Sequence, residues 1–204
     1  MEVNPASPRE IPIDFQLLEK GGVIAADLDG NDVLDFVVTA TGHLGGYGQD
    51  GEKFWHVEDD IRVSAGSSER VGLPGHHAPG VQVVDLYGDG ENEALYVDQE
   101  VTIHILNART ADEKRRASFP HPEGAKRWEH LVAVHLKSPD AVDLVLQATC
   151  AQGYRVGHYV EAHRIDEGDL LWKDDAFGAL AHGPLRAADL DGDGLDEICG
   201  FTIR

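Results

Sequence analysis

The chain has 204 residues, with 17 Lys and Arg against 37 Asp and Glu, giving a formal charge of −20. That balance argues against a binder of nucleic acid or anionic lipid, which draws on a surplus of cations, and 42% hydrophobic residues are too many for a disordered acidic tail. No apolar run reaches the roughly 18–20 residues that span a bilayer, so no membrane insertion is expected. Two cysteines exclude a disulfide framework and a four-cysteine zinc site.

In chain order, residues 1–20 read as an N-terminal strand or extension. Met1 to Pro5 has neither a basic start nor an apolar h-region, so no export signal is readable there. Ile11-Pro12-Ile13-Asp14-Phe15-Gln16-Leu17-Leu18 is expected to supply an outer strand. Four similar units follow, over about residues 21–78, 79–128, 129–182 and 183–204, the last one partial. The first carries Val23-Ile24-Ala25-Ala26-Asp27, an acidic turn, then Asp35-Phe36-Val37-Val38. The second carries Val81-Gln82-Val83-Val84-Asp85 and then Glu93-Ala94-Leu95-Tyr96. The third is weaker, with Leu131-Val132-Ala133-Val134-His135 and then Asp143-Leu144-Val145-Leu146. The fourth carries Leu185-Arg186-Ala187-Ala188-Asp189 and then Glu197-Ile198. Asp27, Asp85, His135 and Asp189 anchor the units, and in each an acidic residue stands eight positions later.

Short apolar runs cut by Gly and Asp favour strands over helices. Turns at Gln49-Asp50-Gly51-Glu52 and Asp166-Glu167-Gly168-Asp169 precede the strands Lys53–Val57 and Leu170–Lys173, and Val101–Leu106 reads as a further strand. Glu113-Lys114-Arg115-Arg116 reads as a solvated loop. Units of about 50 residues with roughly four strands predict an all-β fold of β-propeller blades. The blades form either a complete small propeller or a partial ring, whose open edge needs further blades or a second copy of the chain.

The strongest chemical signal is Asp189-Leu190-Asp191-Gly192-Asp193-Gly194-Leu195-Asp196-Glu197. Alternating carboxylates in a tight turn suit calcium, a hard ion that takes six to eight oxygens, and the glycines let the backbone curl. The expected ligands are Asp189, Asp191, Asp193 and Glu197. A second site is expected at Asp27, Asp29, Asn31 and Asp35, where Asp32 stands in place of the second glycine. A third uses Asp85, Asp89 and Glu93, with Tyr87 replacing an aspartate. The third unit, with His135, Lys137 and Pro139, has lost the ligands. This is not an EF-hand, because its twelfth position is Gly200 where a bidentate Glu is required.

The motif Asp-x-Asp-Gly-Asp-Gly between two apolar strands, repeated through about residues 20 to 204, resembles the FG-GAP/VCBS repeats. That resemblance implies a calcium-binding propeller of the kind found in integrin α-chains, bacterial surface proteins and some polysaccharide lyases, and it favours the cell exterior. Gly168-Asp169-Leu170-Leu171-Trp172, set after an Asp-rich turn, is further similar to rhamnogalacturonan-lyase-type propellers. No catalytic residue of that family aligns here.

Histidines recur before the inner strands, on the rim opposite the acidic turns: His76, His77, His130 and His182. Such loops gather round the mouth of a propeller, where ligands bind. His77, His130 and His182 are the candidates for a general base in β-elimination on a uronic-acid polymer. Arg186 and Arg155 are candidates to pair with its carboxylate. No acid–base pair at a defined spacing accompanies them, so a non-catalytic module binding carbohydrate or protein is the preferred reading, with a polysaccharide lyase as the alternative. Trp55 and Trp172 are expected in blade cores, Trp128 facing a ligand, and Cys150 and Cys199 as buried thiols. No Gly-x-Ser-x-Gly elbow or phosphate loop is present.

Overall fold

The structure, a computed structural model, describes residues 10–16, 21–59, 61, 81–98, 100–125, 127–149, 157–175 and 185–199. Every regular element among them is a strand. Strands β1 (Gly21–Ala26), β2 (Asp35–Ala40), β3 (His43–Tyr47) and β4 (Lys53–Glu58) form the first four-stranded antiparallel meander. The second is β5 (Val81–Val84), β6 (Glu93–Val97), β7 (Thr102–Asn107) and β8 (Glu113–Ser118). The third is β9 (Arg127–Val134), β10 (Asp143–Thr149), β11 (Gly157–Arg164) and β12 (Leu170–Asp174). Two strands, β13 (Arg186–Ala188) and β14 (Glu197–Cys199), begin a fourth. The chain is an all-β fold of propeller blades, and among the described residues the sheets do not close into a ring.

One register governs all four units. The residue before the anchor pairs with the acidic residue eight positions after it: Ala26 with Asp35, Val84 with Glu93, Val134 with Asp143, and Ala188 with Glu197. Because successive side chains on a strand point to opposite faces, equivalent residues face the same way in each blade. The face turned toward the next blade is called trailing, and the other leading.

The cores lie between blades. Leu28, Val37 and Leu44 of the first blade meet Val81, Ala94 and Tyr96 of the second. Leu86, Leu95 and Ile105 of the second meet Val142, Leu144 and Leu146 of the third. Val134, Val145 and Val160 of the third meet Leu185 of the fourth. Burying these faces drives the stacking. Polar links pin the fit. Trp55 Nε1 donates to the Ala108 carbonyl at 2.7 Å, and Ala133 N donates to Gln82 Oε1 at 2.9 Å. Gly46 pairs with Trp55 across β3 and β4, and a Cβ there would stand 2.4 Å from the indole ring. Glycine is what lets the ring lie flat on the strand.

Three expectations need correction. Residues 10–16 form no strand. Phe15, with Ile11 and Ile13 beside it, lies over Val38, Ala40 and Tyr47 on the leading face of the first blade, so the segment covers a sheet face instead of extending an edge. Pro12, lacking an N–H, suits such a role. Residues 113–116 open β8 instead of a loop, because a charged, half-exposed edge strand shows no apolar alternation. Trp128 is 1% exposed, its Nε1 donating to the Pro120 carbonyl at 3.0 Å, so it belongs to the core and faces no ligand.

Candidate metal centre

The acidic turns join the first two strands of each blade and lie together on one rim. Their backbone curl is set by left-handed residues three and five positions after the anchor. These are Gly88 and Gly90 (φ 67° and 85°) in the second blade, and Gly192 and Gly194 (φ 81° and 87°) in the fourth. In the first blade Gly30 is joined by Asp32 at φ 63°. The turn therefore keeps its shape without the second glycine, at the cost of a conformation that L-residues resist.

Each anchor carboxylate gathers the N–H groups of its own turn. Asp27 Oδ1 accepts from Gly30 N (2.8 Å) and Asn31 N (3.2 Å), and Oδ2 accepts from Asp32 N (2.8 Å). Asp189 accepts from Gly192 N (2.7 Å) and Gly194 N (2.9 Å), and Asp85 from Asp89 N (3.2 Å) and Gly90 N (3.0 Å). Partial burial would push the Asp27 carboxyl up, but the N–H groups of Asp32, Gly30, Asn31 and Asp29 outweigh it and hold the carboxyl below its usual range. Asp27 is thus an anion at neutral pH.

The acid eight positions on has a role that sequence spacing did not reveal. In every blade it accepts the N–H of the residue after the anchor: Leu28 N to Asp35 (3.1 Å), Leu86 N to Glu93 (2.9 Å), Leu136 N to Asp143 (3.3 Å) and Leu190 N to Glu197 (2.8 Å). It closes the turn whether or not an ion is held. Its presence in the third unit, which lacks the other ligands, was the signal available in the sequence.

Two of the turns bring ligand atoms within reach of one ion. Asp27, Asp29 and Asp35 each offer a carboxylate oxygen within 4.8 Å of the others, and so do Asp189, Asp191 and Glu197. Asn31 Oδ1 accepts from Val33 N (2.8 Å) and Asp193 Oδ1 from Leu195 N (2.9 Å). Asp193 is not among the converging carboxylates. The first set passes a test of fit. Asp29 Oδ1 is buried and has no hydrogen-bond partner, and a buried carboxylate oxygen left so is costly unless something positive meets it. The set offers only oxygens, which suits a hard cation such as calcium and not zinc or copper.

The second blade differs. Lys114, from β8, donates to Glu93 Oε1 at 2.5 Å and lies 3.3 Å from Glu91 Oε2. An ammonium already balances the buried Glu93, and Asp85, Asp89 and Glu93 do not converge as the other two sets do among the described residues. In the third blade Asp143 is buried, with Oδ1 unpartnered, and burial pushes its carboxyl up.

Of the candidate catalytic residues, His77 and His182 lie outside the described residues, as do His76, Arg155 and Cys150. His130 is on β9, paired with Gln147. Arg186 is exposed on the trailing face of β13, its Nη1 3.1 Å from the Leu185 carbonyl. Cys199, expected buried, is a free, exposed thiol on β14 because no neighbouring blade covers that face among the described residues.

No family model matches the chain. Its fold is similar to that of a rhamnogalacturonan lyase of Bacillus licheniformis, with a TM-score of 0.55 and 17% identity, over 92% of this chain and 42% of that one. A biofilm matrix protein of V. cholerae aligns over 66% of this chain and 20% of its own, at 23% identity and a TM-score of 0.43. In sequence, one of the subunits of the type 2 DNA topoisomerase 6 of Sulfurisphaera tokodaii is 23% identical over 112 residues, covering 52% of this chain and 29% of that protein. The chain thus spans less than half of each of these proteins.

Proposed function

We propose that this chain is a calcium-binding propeller-repeat module of the FG-GAP/VCBS kind, which presents the rim opposite its acidic turns to a carbohydrate or protein ligand. The buried, partnerless Asp29 oxygen within the Asp27, Asp29 and Asp35 set carries this reading. Asp27, Asp29 and Asp35, with Asn31 beside them, would hold the ion in the first blade. Asp189, Asp191 and Glu197 would hold it in the fourth, with Asp193 nearby. The ion would supply neutralising charge and tie each hairpin shut, so binding and folding are coupled. The extracytoplasmic setting implied by the family resemblance, where calcium is abundant, agrees with this role. The thermal midpoint should rise with added calcium and fall with chelator, and an identical midpoint in both would remove the metal from the account.

The likeness in fold to a rhamnogalacturonan lyase supports a second reading, a polysaccharide lyase acting on uronic-acid polymers by β-elimination. His77, His130 and His182 would be its candidate bases and Arg186 its carboxylate partner. Ultraviolet absorbance from an unsaturated product, lost in His182→Ala, is the expected signature. Silence across a panel of pectic and algal polymers would exclude it.

A further inference from the structure

Away from the acidic turns, one pair of side chains brings nitrogen donors together. His43 on β3 and His56 on β4 approach until His43 Nδ1 lies 3.1 Å from His56 Nε2. The register explains the approach. His43 pairs with Glu58, and Gly45 pairs with His56. Residues two apart on a strand share a face, so His43, His56 and Glu58 all line the leading face of the first blade, as Tyr47 does.

Packing sets the two rings. Gly45 leaves room for Phe15, because a Cβ at position 45 would stand 2.8 Å from the phenyl ring. Phe15 lies nearly parallel to both imidazoles. Its ring centroid is 5.1 Å from that of His43 and 4.8 Å from that of His56, at interplanar angles of 17° and 13°. The imidazole centroids are themselves 5.3 Å apart. Rings stacked in this way have little freedom left to lose, so holding both for a ligand adds little entropy loss. Both histidines are half-buried and so are not sealed from solvent.

A neutral imidazole carries one proton and one lone pair on its two nitrogens. In the present contact one ring donates and the other accepts. When the donor ring moves its proton to its outer nitrogen, both facing nitrogens present lone pairs, and no proton leaves the pair. Two nitrogens bound to one zinc ion at about 2.05 Å, with a tetrahedral angle between them, stand about 3.3 Å apart. The observed 3.1 Å is close to that spacing, so a small pivot of the rings seats an ion beside them. Imidazole nitrogens suit zinc, copper and nickel, whereas the acidic turns offer only oxygens. Glu58, exposed and directly across from His43, can supply a third ligand, with water as the fourth.

We propose that His43 and His56, with Glu58, form a zinc site separate in place and in chemistry from the acidic turns. The ion would replace the hydrogen bond as the side-chain link between β3 and β4. Because Phe15 stacks on both liganding rings, it would also hold residues 10–16 on the blade. The site does not rest on the calcium reading.

Zinc titration by calorimetry, on the full chain in saturating calcium, tests this. His43→Gln and His56→Gln should each lower the zinc stoichiometry by one equivalent from that of the wild type, whatever zinc the other histidines take up. Glu58→Gln should weaken that equivalent, and Asp29→Asn and Asp191→Asn should leave it unchanged. Nitrogen-15 spectra of the wild type keep the test independent of how the variants fold. On adding zinc, His43 Nδ1 and His56 Nε2 should shift together to the position of metal-bound, unprotonated nitrogens. A stoichiometry that neither histidine substitution lowers, an equivalent lost in Asp29→Asn, or facing nitrogens that do not respond together would each overturn the proposal. An isotherm unchanged in Glu58→Gln would remove Glu58 from the ligand set.

Discussion

Asp143 shows how the same residue type changes its effect with its surroundings. In the first and fourth blades the acid eight positions after the anchor shares its turn with a converging set of carboxylates. In the third, Lys137 and His135 stand where those carboxylates would be, and Asp143 keeps one buried oxygen without a partner. Burial raises its carboxyl above the ordinary 3.8, so the folded state favours the protonated acid. The contribution of such a group is fully present below the unfolded value and is lost as pH rises through the folded one. Asp143→Asn should therefore stabilise the protein at neutral pH by about 1 kcal/mol, an advantage that fades toward pH 3.8 and below. Thermal unfolding over a pH series measures it, and an equal advantage at every pH would contradict the assignment. The carboxylates of the acidic turns and their spacing could be read from the sequence. The turn-closing bond of the eighth residue was signalled only by its presence in the third unit, because a carboxylate that accepts an N–H and one that binds an ion otherwise look alike as letters.

Among elements, β8 was the strand that read as a loop. Its residues are Glu113-Lys114-Arg115-Arg116-Ala117-Ser118, and the charged half looks like a loop because an outer strand faces water on much of its surface. In the fold, Lys114 reaches back across β7 to the fully buried Glu93, and Arg115 pairs with Asp166 of the next blade. Hydrogen bonding to Glu93 raises the Lys114 ammonium above its ordinary 10.5. Its contribution is complete below that value and is lost as pH rises through the folded one. Lys114→Met should cost about 2 kcal/mol at neutral pH, short of the value for a wholly buried pair because Lys114 is itself partly exposed. Glu93→Gln in the same chain should recover most of that loss. Denaturant midpoints of the two variants decide, and no recovery would mean that Lys114 acts through its packing alone. The inner strands were legible for the opposite reason. Each is an apolar run ended by a polar turn, and in the second and third blades it packs between neighbours on both faces.

For the whole molecule, the repeat was readable as four anchors at a period of fifty-odd residues, and all-β blades follow from it. What the sequence did not show was the contact between blades. The bonds from Asn92 Nδ2 to the Asp27 carbonyl and from His135 N to Asp196 become visible only once the register is known. The N-terminal segment was misplaced for the same reason. Its alternating Ile11, Ile13 and Phe15 satisfy a strand pattern, but a peptide lying flat on an apolar face shows that alternation too.

Cation binding by the acidic turns is the central claim. Calcium titration by calorimetry, on the wild type and on Asp29→Asn and Asp191→Asn, tests it most directly. Two sites per chain are predicted for the wild type, one in the first blade and one in the fourth, with each substitution removing one of them and leaving the other. No binding heat in the wild type, or a stoichiometry that neither substitution changes, would contradict it.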